Sequence, residues 1–256
     1  MSEQLEAAAA LWGLADYRGV ADKLMPAARA IADLAGPGRD RSALDVAAGT
    51  GNVAVALRER GWEVAATDVS PRMVDLGRER TGDEVGWRVA PAERLPVEDA
   101  SCDLVASAFG LIFAADVDAA VGEVHRALRP GGRLVLTAWV VDDYMASMTD
   151  VMMAYLPTPT GPTPMDWGAR DVIHRRLSAF GEVRVERRTL PWHFDSPAAG
   201  RAFYEASSPA HVGSMRYAGE RAGELMDAVE EHLAERAEPS GQVRIAAGYL
   251  LVSATR

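Results

Sequence analysis

The chain has 256 residues, 48% of them hydrophobic and 25% charged, with a formal net charge of −10 at pH 7. These values predict one sizeable globular α/β unit, and the acidic balance argues against a nucleic-acid substrate, which needs a basic surface. The single cysteine, Cys102, excludes an internal disulfide. The sequence also has neither an apolar run of membrane-spanning length nor a signal-like N-terminus, so we expect a cytoplasmic protein and leave a homodimer open.

The first 41 residues precede the first predicted strand. Apolar residues recur at helical spacing from Leu11 to Ala35, with breaks at Gly13, Gly19 and Pro26. This pattern predicts two or three short helices. The Gly36-Pro37-Gly38 segment then marks the boundary with the next unit.

A strand, a glycine turn, a helix and a second strand are predicted between Ser42 and Asp68. Gly49 and Gly51 let the backbone approach a ligand closely, and the helix predicted over Asn52 to Arg60 points its free N–H groups into the same space. An acidic residue at the end of the second strand, here Asp68, can accept hydrogen bonds from the hydroxyls of a ribose. The segment therefore predicts a nucleoside-binding site.

Two kinds of nucleoside fit this segment. Gly49 to Ala54 matches the fingerprint G-x-G-x-x-G/A of dinucleotide-binding proteins, which would make the chain an NAD(P)-dependent oxidoreductase. Asp45 precedes the turn, however, and a carboxylate disfavours a pyrophosphate but favours a ligand with an ammonium or sulfonium centre. S-adenosylmethionine has both cationic centres and an adenosine, so we favour it. A non-catalytic module that binds an adenosyl ligand is the third interpretation.

Three further elements follow in chain order. A capped helix has Met73 on its inward face, Gly86 to Ala90 forms a short third strand, and Asp103 to Ala108 forms a buried parallel strand. Ligands of open α/β sheets bind beyond the carboxyl ends of the strands. Ser107 and Phe109 are therefore predicted to face the reacting methyl group or the methionine carboxylate. A helix over Asp116 to Leu128 leads through a Pro-Gly-Gly turn into a fifth strand, which is predicted to begin at Leu134 and end at Val140.

The motifs of residues 42–140, taken in order, resemble those of class I S-adenosylmethionine-dependent methyltransferases. They are D-x-A-x-G-x-G from Asp45, the acidic Asp68, A-P-A-E-R-L-P from Ala90, and L-R-P-G-G-R-L from Leu128. The match is best with the small-molecule branch that includes ubiquinone and menaquinone methyltransferases. The chain departs from the family pattern where Ala47 replaces a glycine and Pro91 replaces an aspartate.

This resemblance implies a Rossmann-like α/β fold, with a seven-stranded, mostly parallel sheet, an antiparallel C-terminal edge and helices on both faces. It also implies a helical lid over residues 1–41, a cofactor-binding core over 42–140, and substrate-pocket insertions with closing antiparallel strands over 141–256, all in one globular unit. The cofactor would be S-adenosylmethionine and the product S-adenosylhomocysteine. The residues expected to bind the cofactor are Tyr17, Asp45, Ala47, Gly49, Gly51, Asn52, Asp68, Val69, Met73, Ala92, Glu93, Ser107 and Phe109.

Beyond Val140 the sequence predicts further helices and two closing strands. They are a helix over Tyr144 to Leu156, an extended proline-rich loop over 157–164 that is positioned as a lid, a helix over Asp171 to Phe180, a strand over Val183 to Thr189, helical sequence over 196–240 with a long amphipathic part from Ala218 to Arg236, and a last strand over Val243 to Ser253.

Methyl transfer from a sulfonium needs an aligned nucleophile in a dry site, and neither a metal cluster nor a nucleophilic triad. The histidines lack metal-ligand spacing, so we expect no metal. His193 and His211 are the general-base candidates for an acceptor that must lose a proton. The acceptor is predicted to be a small apolar or aromatic metabolite or natural-product intermediate, methylated on O, N or C. The residues predicted to line its pocket are Trp139, Met145, Met148, Met152, Trp167, Trp192 and Phe203.

Overall fold

The computed structural model describes residues 3–159, 161 and 163–256, and within them a single mixed sheet forms the core. Its strands are β1 (Ser42–Val46), β2 (Glu63–Asp68), β3 (Val85–Val89), β4 (Cys102–Ala108), β5 (Leu128–Trp139), β6 (Val183–Phe194) and β7 (Val243–Thr255). The strand order is β3-β2-β1-β4-β5-β7-β6, with β1 to β5 parallel and β7 antiparallel to both of its neighbours. The predicted seven-stranded Rossmann-like fold is confirmed.

The central strands are apolar because helices cover the sheet. Leu44 on β1, Val105 on β4 and Leu136 on β5 are fully buried. The described helices are α1 (Glu3–Trp12), α2 (Arg18–Ala35), α3 (Asn52–Arg58), α4 (Pro71–Thr81), α5 (Val117–Ala127), α6 (Tyr144–Met153), α7 (Arg170–Arg176), α8 (Pro197–Ser207), α9 (Pro209–Ala218) and α10 (Ala222–Ala234).

The prediction of two or three short helices before β1 is wrong in one respect. Helix α2 continues through Pro26, although proline removes a backbone hydrogen bond. Its buried face includes Leu24, Ala28 and Ile31, and the helix contacts α3, β4 and β5. The burial of this face offsets the cost of the proline.

β5 and β6 extend furthest beyond their predicted bounds. β5 begins at Leu128 rather than Leu134, and β6 ends at Phe194 rather than Thr189. The added part of β6 pairs with β7, whose pairing with β6 runs from Val243 to Ala254, and the start of β5 pairs with β4 through Leu128 and Cys102. Backbone pairing thus extends these strands through residues such as Pro191 that local propensity disfavours.

Part of the proline-rich loop, Thr160 and Pro162, lies outside the described residues. The rest of the loop leads into a short 3-10 helix, Pro164–Gly168. Within the described ranges, none of the helices combines the length and the apolar character needed to cross a lipid bilayer.

Candidate active site

A cavity of about 750 Å³ lies at the carboxyl end of the parallel strands. Its floor is formed by the segments that follow β1, β2, β3 and β4 and by Trp139 at the end of β5, and its walls include residues of α1, α2, α6 and α9. A volume in this range is typical of a pocket that encloses a small organic ligand.

Asp45 is a buried carboxylate in the wall of this cavity. Its Oδ2 accepts a hydrogen bond from the Ala54 backbone N–H at 2.9 Å, whereas its Oδ1 is buried and has no hydrogen-bond partner among the residues described. Burial raises the pKa of Asp45 to about 8, and the nearby Asp68 adds to the rise. A cation brought into the cavity would supply the partner that Oδ1 lacks.

Asp68, at the end of β2, connects two backbone segments. Its Oδ2 accepts a hydrogen bond from the Gly49 N–H at 2.8 Å and its Oδ1 accepts one from the Ser70 N–H at 2.9 Å. Burial raises the pKa of this carboxyl, against the lowering effect of the two N–H groups. Each oxygen keeps a further lone pair, so the carboxylate can also accept hydrogen bonds from ligand hydroxyls.

Every second residue of the turn after β1 has a positive φ. Ala47 has φ of 52°, Gly49 of 55° and Gly51 of 86°. A Cβ on Gly49 would lie 3.2 Å from Cε1 of Tyr17, so the lack of a side chain lets the Tyr17 ring approach the turn. Ala47 takes up the same left-handed backbone at the position where the family pattern has a glycine.

Most of the predicted cofactor residues line the cavity. They are Tyr17, Asp45, Ala47, Gly49, Asn52, Asp68, Val69, Met73, Ala92, Glu93 and Phe109. The side chain of Asn52 also ties the site to its surroundings, since its Nδ2 donates to the Ala21 carbonyl at 2.6 Å and its Oδ1 accepts from Arg80 at 2.7 Å.

Two residues predicted to bind the cofactor do not line the cavity. Gly51 is the residue before α3, and a Cβ there would lie 2.8 Å from the Trp87 ring, so this glycine is required by packing. The Ser107 hydroxyl donates to the Val46 carbonyl at 2.7 Å and accepts from the Leu111 N–H at 2.9 Å. The expectation that Ser107 faces the reacting methyl group is therefore corrected: its hydroxyl joins the ends of β1 and β4.

The side of the cavity that faces α6, predicted to hold the acceptor, is rich in methionine and aromatic residues. Met145, Met148 and Met152 of α6 line it, and so do Trp139 and Trp192. The ring of Phe109 stacks on that of Trp139 with centroids 3.9 Å apart, and φ of Phe109 is 56°. Methionine side chains adapt their shape, which suits a pocket for a flat apolar molecule.

The prediction that Trp167 and Phe203 line the acceptor pocket is corrected. Trp167 is fully buried and its ring packs under the Arg176 guanidinium, 4.7 Å from the centroid. Phe203 packs among Trp192, Phe194 and Tyr204. Neither residue is among those that line the cavity. Both belong to the packing around the site.

The two histidine candidates have opposite surroundings. His193 is exposed on β6 and does not line the cavity, because strand alternation turns Trp192 and Phe194 inward and His193 outward. The prediction of His193 as a base at this site is therefore corrected. His211 lines the cavity and is buried, with its Nδ1 2.8 Å from the Ser208 Oγ and its ring stacked on Tyr204. Burial lowers its pKa to about 3.

Sequence reasoning missed several residues that line the cavity, among them Trp12, Thr50, Phe113, Tyr204 and Ser208. Trp12 contacts both Tyr17 and Phe113 edge-on, with centroids 6.1 and 4.9 Å away. The Ser208-Pro209 pair is a helix-start signal that could have placed His211 in the first turn of α9. Trp12 and Phe113 are far apart in sequence, so no local pattern joins them.

The residues of the cavity fit S-adenosylmethionine by their chemistry. The unpartnered Asp45 Oδ1 suits an ammonium group, and Asp68 suits a ribose. No group of three or more metal-ligating side chains occurs in the part of the chain that the structure describes. A Rossmann-like sheet with a glycine turn and two carboxylates at its carboxyl edge is an arrangement with which α/β proteins bind nucleoside ligands.

Comparisons with known proteins agree. A family model for a methyltransferase domain matches residues 44–136. An uncharacterized protein of Mycobacterium tuberculosis is 32% identical over 227 residues, 83% of this chain and 81% of the relative. The ubiquinone/menaquinone biosynthesis C-methyltransferase UbiE of Rubrivivax gelatinosus is 38% identical over 102 residues, 40% of this chain and 41% of that enzyme.

The fold has solved counterparts as well. The YcgJ protein of Bacillus subtilis superimposes with a TM-score of 0.62 over 88% of this chain and 95% of that one, at 17% sequence identity. The chain belongs to the class I S-adenosylmethionine-dependent methyltransferases. It is thus a methyltransferase enzyme, and the oxidoreductase and the non-catalytic module are not favoured.

Proposed function

We propose that this enzyme transfers the methyl group of S-adenosylmethionine to an O, N or C atom of a small, apolar or aromatic acceptor bound in the same cavity. The observation that carries this proposal is the composition of the cavity. One side has the carboxylates Asp45 and Asp68 beside the glycine turn, and the other has the methionines of α6 and the aromatic rings. Both ligands of a methyl transfer would therefore bind in one enclosed space.

The cofactor residues act by binding and orientation. Asp45 would accept a hydrogen bond from the ammonium group at Oδ1. Asp68 would accept hydrogen bonds from the ribose hydroxyls while it holds the backbone at Gly49 and Ser70. Tyr17, held against Gly49, would cover the turn. The bound cofactor supplies an electrophilic methyl group, and the chain supplies alignment of that methyl with the acceptor.

Exclusion of water is the second contribution of the chain. Trp12 of α1, Tyr17 just before α2 and Leu24 of α2 line the cavity, and the ring of Phe113 contacts that of Trp12 edge-on. We infer that residues 1–41 act as a lid. A dry site strengthens the electrostatic interactions of a cationic donor with the buried carboxylates.

His211 would orient the acceptor in its neutral form. Because its pKa is lowered to about 3, the imidazole carries no charge near neutral pH, and it is a weak base towards an ordinary hydroxyl. Its buried Nε2 can form a hydrogen bond with the acceptor. An acceptor that loses a proton readily, or a nucleophilic carbon or nitrogen, suits such a site best.

Titration calorimetry with S-adenosylmethionine, S-adenosylhomocysteine and NADH tests the proposal. We expect binding of the two adenosyl ligands, no binding of NADH, and a large loss of affinity in Asp68→Ala. Asp103→Ala is the matched control, since Asp103 also accepts a backbone N–H bond at a strand end, from Ser42 at 3.0 Å, but does not line the cavity. Binding of NADH alone would refute the proposal.

The acceptor part is tested by a methylation screen with radiolabelled S-adenosylmethionine. Neutral apolar and aromatic compounds are expected to become labelled, and small, highly charged compounds are not. Labelling confined to highly charged acceptors, or to a polynucleotide, would contradict the proposed acceptor class.

A further inference from the structure

Two buried ring nitrogens on the acceptor side of the cavity have unused hydrogen-bonding capacity. Trp192 and His211 both line the cavity and are 3% and 5% exposed. Neither Trp192 Nε1 nor His211 Nε2 has a hydrogen-bond partner within residues 3–159, 161 and 163–256. Buried polar atoms are normally paired, so these two nitrogens need an explanation.

The two rings belong to one stacked group. Tyr204 lies between them, with its ring centroid 6.1 Å from that of Trp192 and 4.2 Å from that of His211, and interplanar angles of 30° and 11°. The Ser208 Oγ, 2.8 Å from Nδ1, holds the imidazole from its other side. Packing therefore fixes the orientation of both rings at the cavity wall.

The charge of the lining limits what that ligand can be. In the described part of the chain the charged residues that line the cavity are all acidic: Asp45, Asp68, Glu93 and Asp150. Lys23, which lies 5.6 Å from the Trp192 ring, is not among the lining residues. Among the protein side chains of the lining, an anionic acceptor would therefore meet like charges and no lysine or arginine.

We propose that the methyl acceptor is an uncharged, largely apolar molecule that carries a hydroxyl or carbonyl oxygen, and that Trp192 Nε1–H binds this oxygen, with His211 Nε2 as a second hydrogen-bonding group for the acceptor. The indole N–H is only a donor, so it requires an acceptor atom such as oxygen. The neutral imidazole can donate or accept through Nε2 and so serves either oxygen type. This inference rests on the proposed function, because it names the acceptor of that same site.

Equilibrium dialysis against protein saturated with S-adenosylhomocysteine tests the proposal with three probes of one shape. The probes are 2-naphthol, naphthalene and 2-naphthoate, quantified by ultraviolet absorbance at pH 7. We expect 2-naphthol to bind about tenfold more tightly than naphthalene, since a hydrogen bond to a buried donor contributes that order of affinity. The anionic 2-naphthoate is expected to bind at least about tenfold more weakly than 2-naphthol.

Trp192→Phe keeps an aromatic ring and removes the N–H, so it is expected to abolish the preference for 2-naphthol over naphthalene. Trp167→Phe is the matched control, because the Trp167 Nε1 is equally buried and unpartnered in the described chain but Trp167 does not line the cavity. It should leave the preference unchanged. His211→Phe is the second variant, and it should reduce the preference even if Trp192→Phe fails to fold.

Three results would overturn the inference: equal binding of naphthalene and 2-naphthol, binding of 2-naphthoate as tight as that of 2-naphthol, or an unchanged preference in a folded Trp192→Phe. Failure of 2-naphthol to bind the loaded protein would do so as well. Binding of S-adenosylhomocysteine is measured first on each protein. Its absence from the wild type would refute the proposed function itself, so the two failures are distinguishable.

Discussion

Asp45 leads to a quantitative prediction about the protons released when the cofactor product binds. Its pKa is raised to about 8, so most of the protein molecules at pH 7 carry a protonated Asp45. S-adenosylhomocysteine has an ammonium group, and a carboxylate can pair with it only in the ionised form. Binding should therefore remove the proton from Asp45.

The size of the effect follows from the pKa. At pH 7 a group of pKa 8 is protonated in about 0.9 of the molecules, so binding should release about 0.9 proton from Asp45. Over pH 6 to 7.5 the ionised fraction rises about 20-fold, and the affinity should rise by the same factor. Below pH 6 the affinity should continue to fall by about tenfold per pH unit.

Calorimetry in two buffers of different ionisation enthalpy measures the proton release directly. Asp45→Asn keeps the shape of the protonated side chain and cannot ionise, so the difference between wild type and variant isolates Asp45 from Asp68, whose pKa is also raised. Asp103→Asn, at a carboxylate outside the cavity whose pKa is lowered, is the control and should behave as wild type. An identical proton count and pH dependence for wild type and Asp45→Asn would refute the assignment.

Three further predictions concern stability. Without ligand, Asp45→Asn should stabilise the protein increasingly from about pH 4 to pH 8. The reason is that the folded-state pKa of Asp45 lies above its unfolded value, so the wild type loses stability as pH rises through that window. Melting temperatures of both proteins across the window test this, and a constant difference would contradict it. Gly49→Ala should lower the free energy of unfolding by about 1–2 kcal/mol and weaken S-adenosylhomocysteine binding, since φ of Gly49 is 55° and the new Cβ would press on Tyr17. Ala47→Gly, at φ of 52°, should change that free energy by less than about 1 kcal/mol. Equal losses in melting scans would refute this contrast. Lys23→Met should lower the free energy of unfolding by about 1–2 kcal/mol, because the ammonium donates to the His193 carbonyl of β6 at 3.0 Å and lies within 5.6 Å of three aromatic rings. A denaturant titration that shows no loss would show that these contacts contribute nothing.

The grouping of Asp45, the glycine turn and Asp68 on one side of the cavity can be predicted because these parts are local in sequence. Asp45, the glycine turn and Asp68 belong to one strand-turn-helix-strand unit, and the parallel pairing of β1 with β2 brings them together. The hydrogen bond from the Gly49 N–H to Asp68 then closes the unit. Only residue types and spacing were needed to predict this arrangement.

The predictions for His193 and Ser107 are wrong because the backbone of a neighbouring segment determines where each side chain points. A sixth strand that ends at Thr189 would place His193 in a loop, where its side chain could face any direction. Pairing with β7 extends the strand to Phe194, and the alternation along it turns His193 to the exposed side. Ser107 is likewise predicted to contact the ligand because it lies at a strand end, but its hydroxyl is hydrogen-bonded to the backbone of Val46 and Leu111.

The acceptor side is assembled from segments that are distant in sequence. Residues of α1, α6 and α9 meet there, and contacts such as that of Trp12 with Phe113 have no local signal. The methionine stripe of α6 was visible in the sequence, but the same stripe would also fit a plain core helix. The sheet topology decides between the two, since it puts α6 beyond the carboxyl end of β5.

His211 separates what a residue type predicts from what its surroundings decide. As a sequence position it suggested a base, because an unperturbed histidine titrates near neutral pH. In the fold it lies in the first turn of α9, stacks on Tyr204 and is almost wholly buried, and this burial lowers its pKa to about 3. A phenol has a pKa of about 10, so proton transfer to this imidazole would be unfavourable by about seven orders of magnitude. The arrangement that makes His211 a poor base also makes it a fixed, neutral hydrogen-bonding group, which is what an acceptor oxygen needs when the charge of the reaction lies on the cofactor.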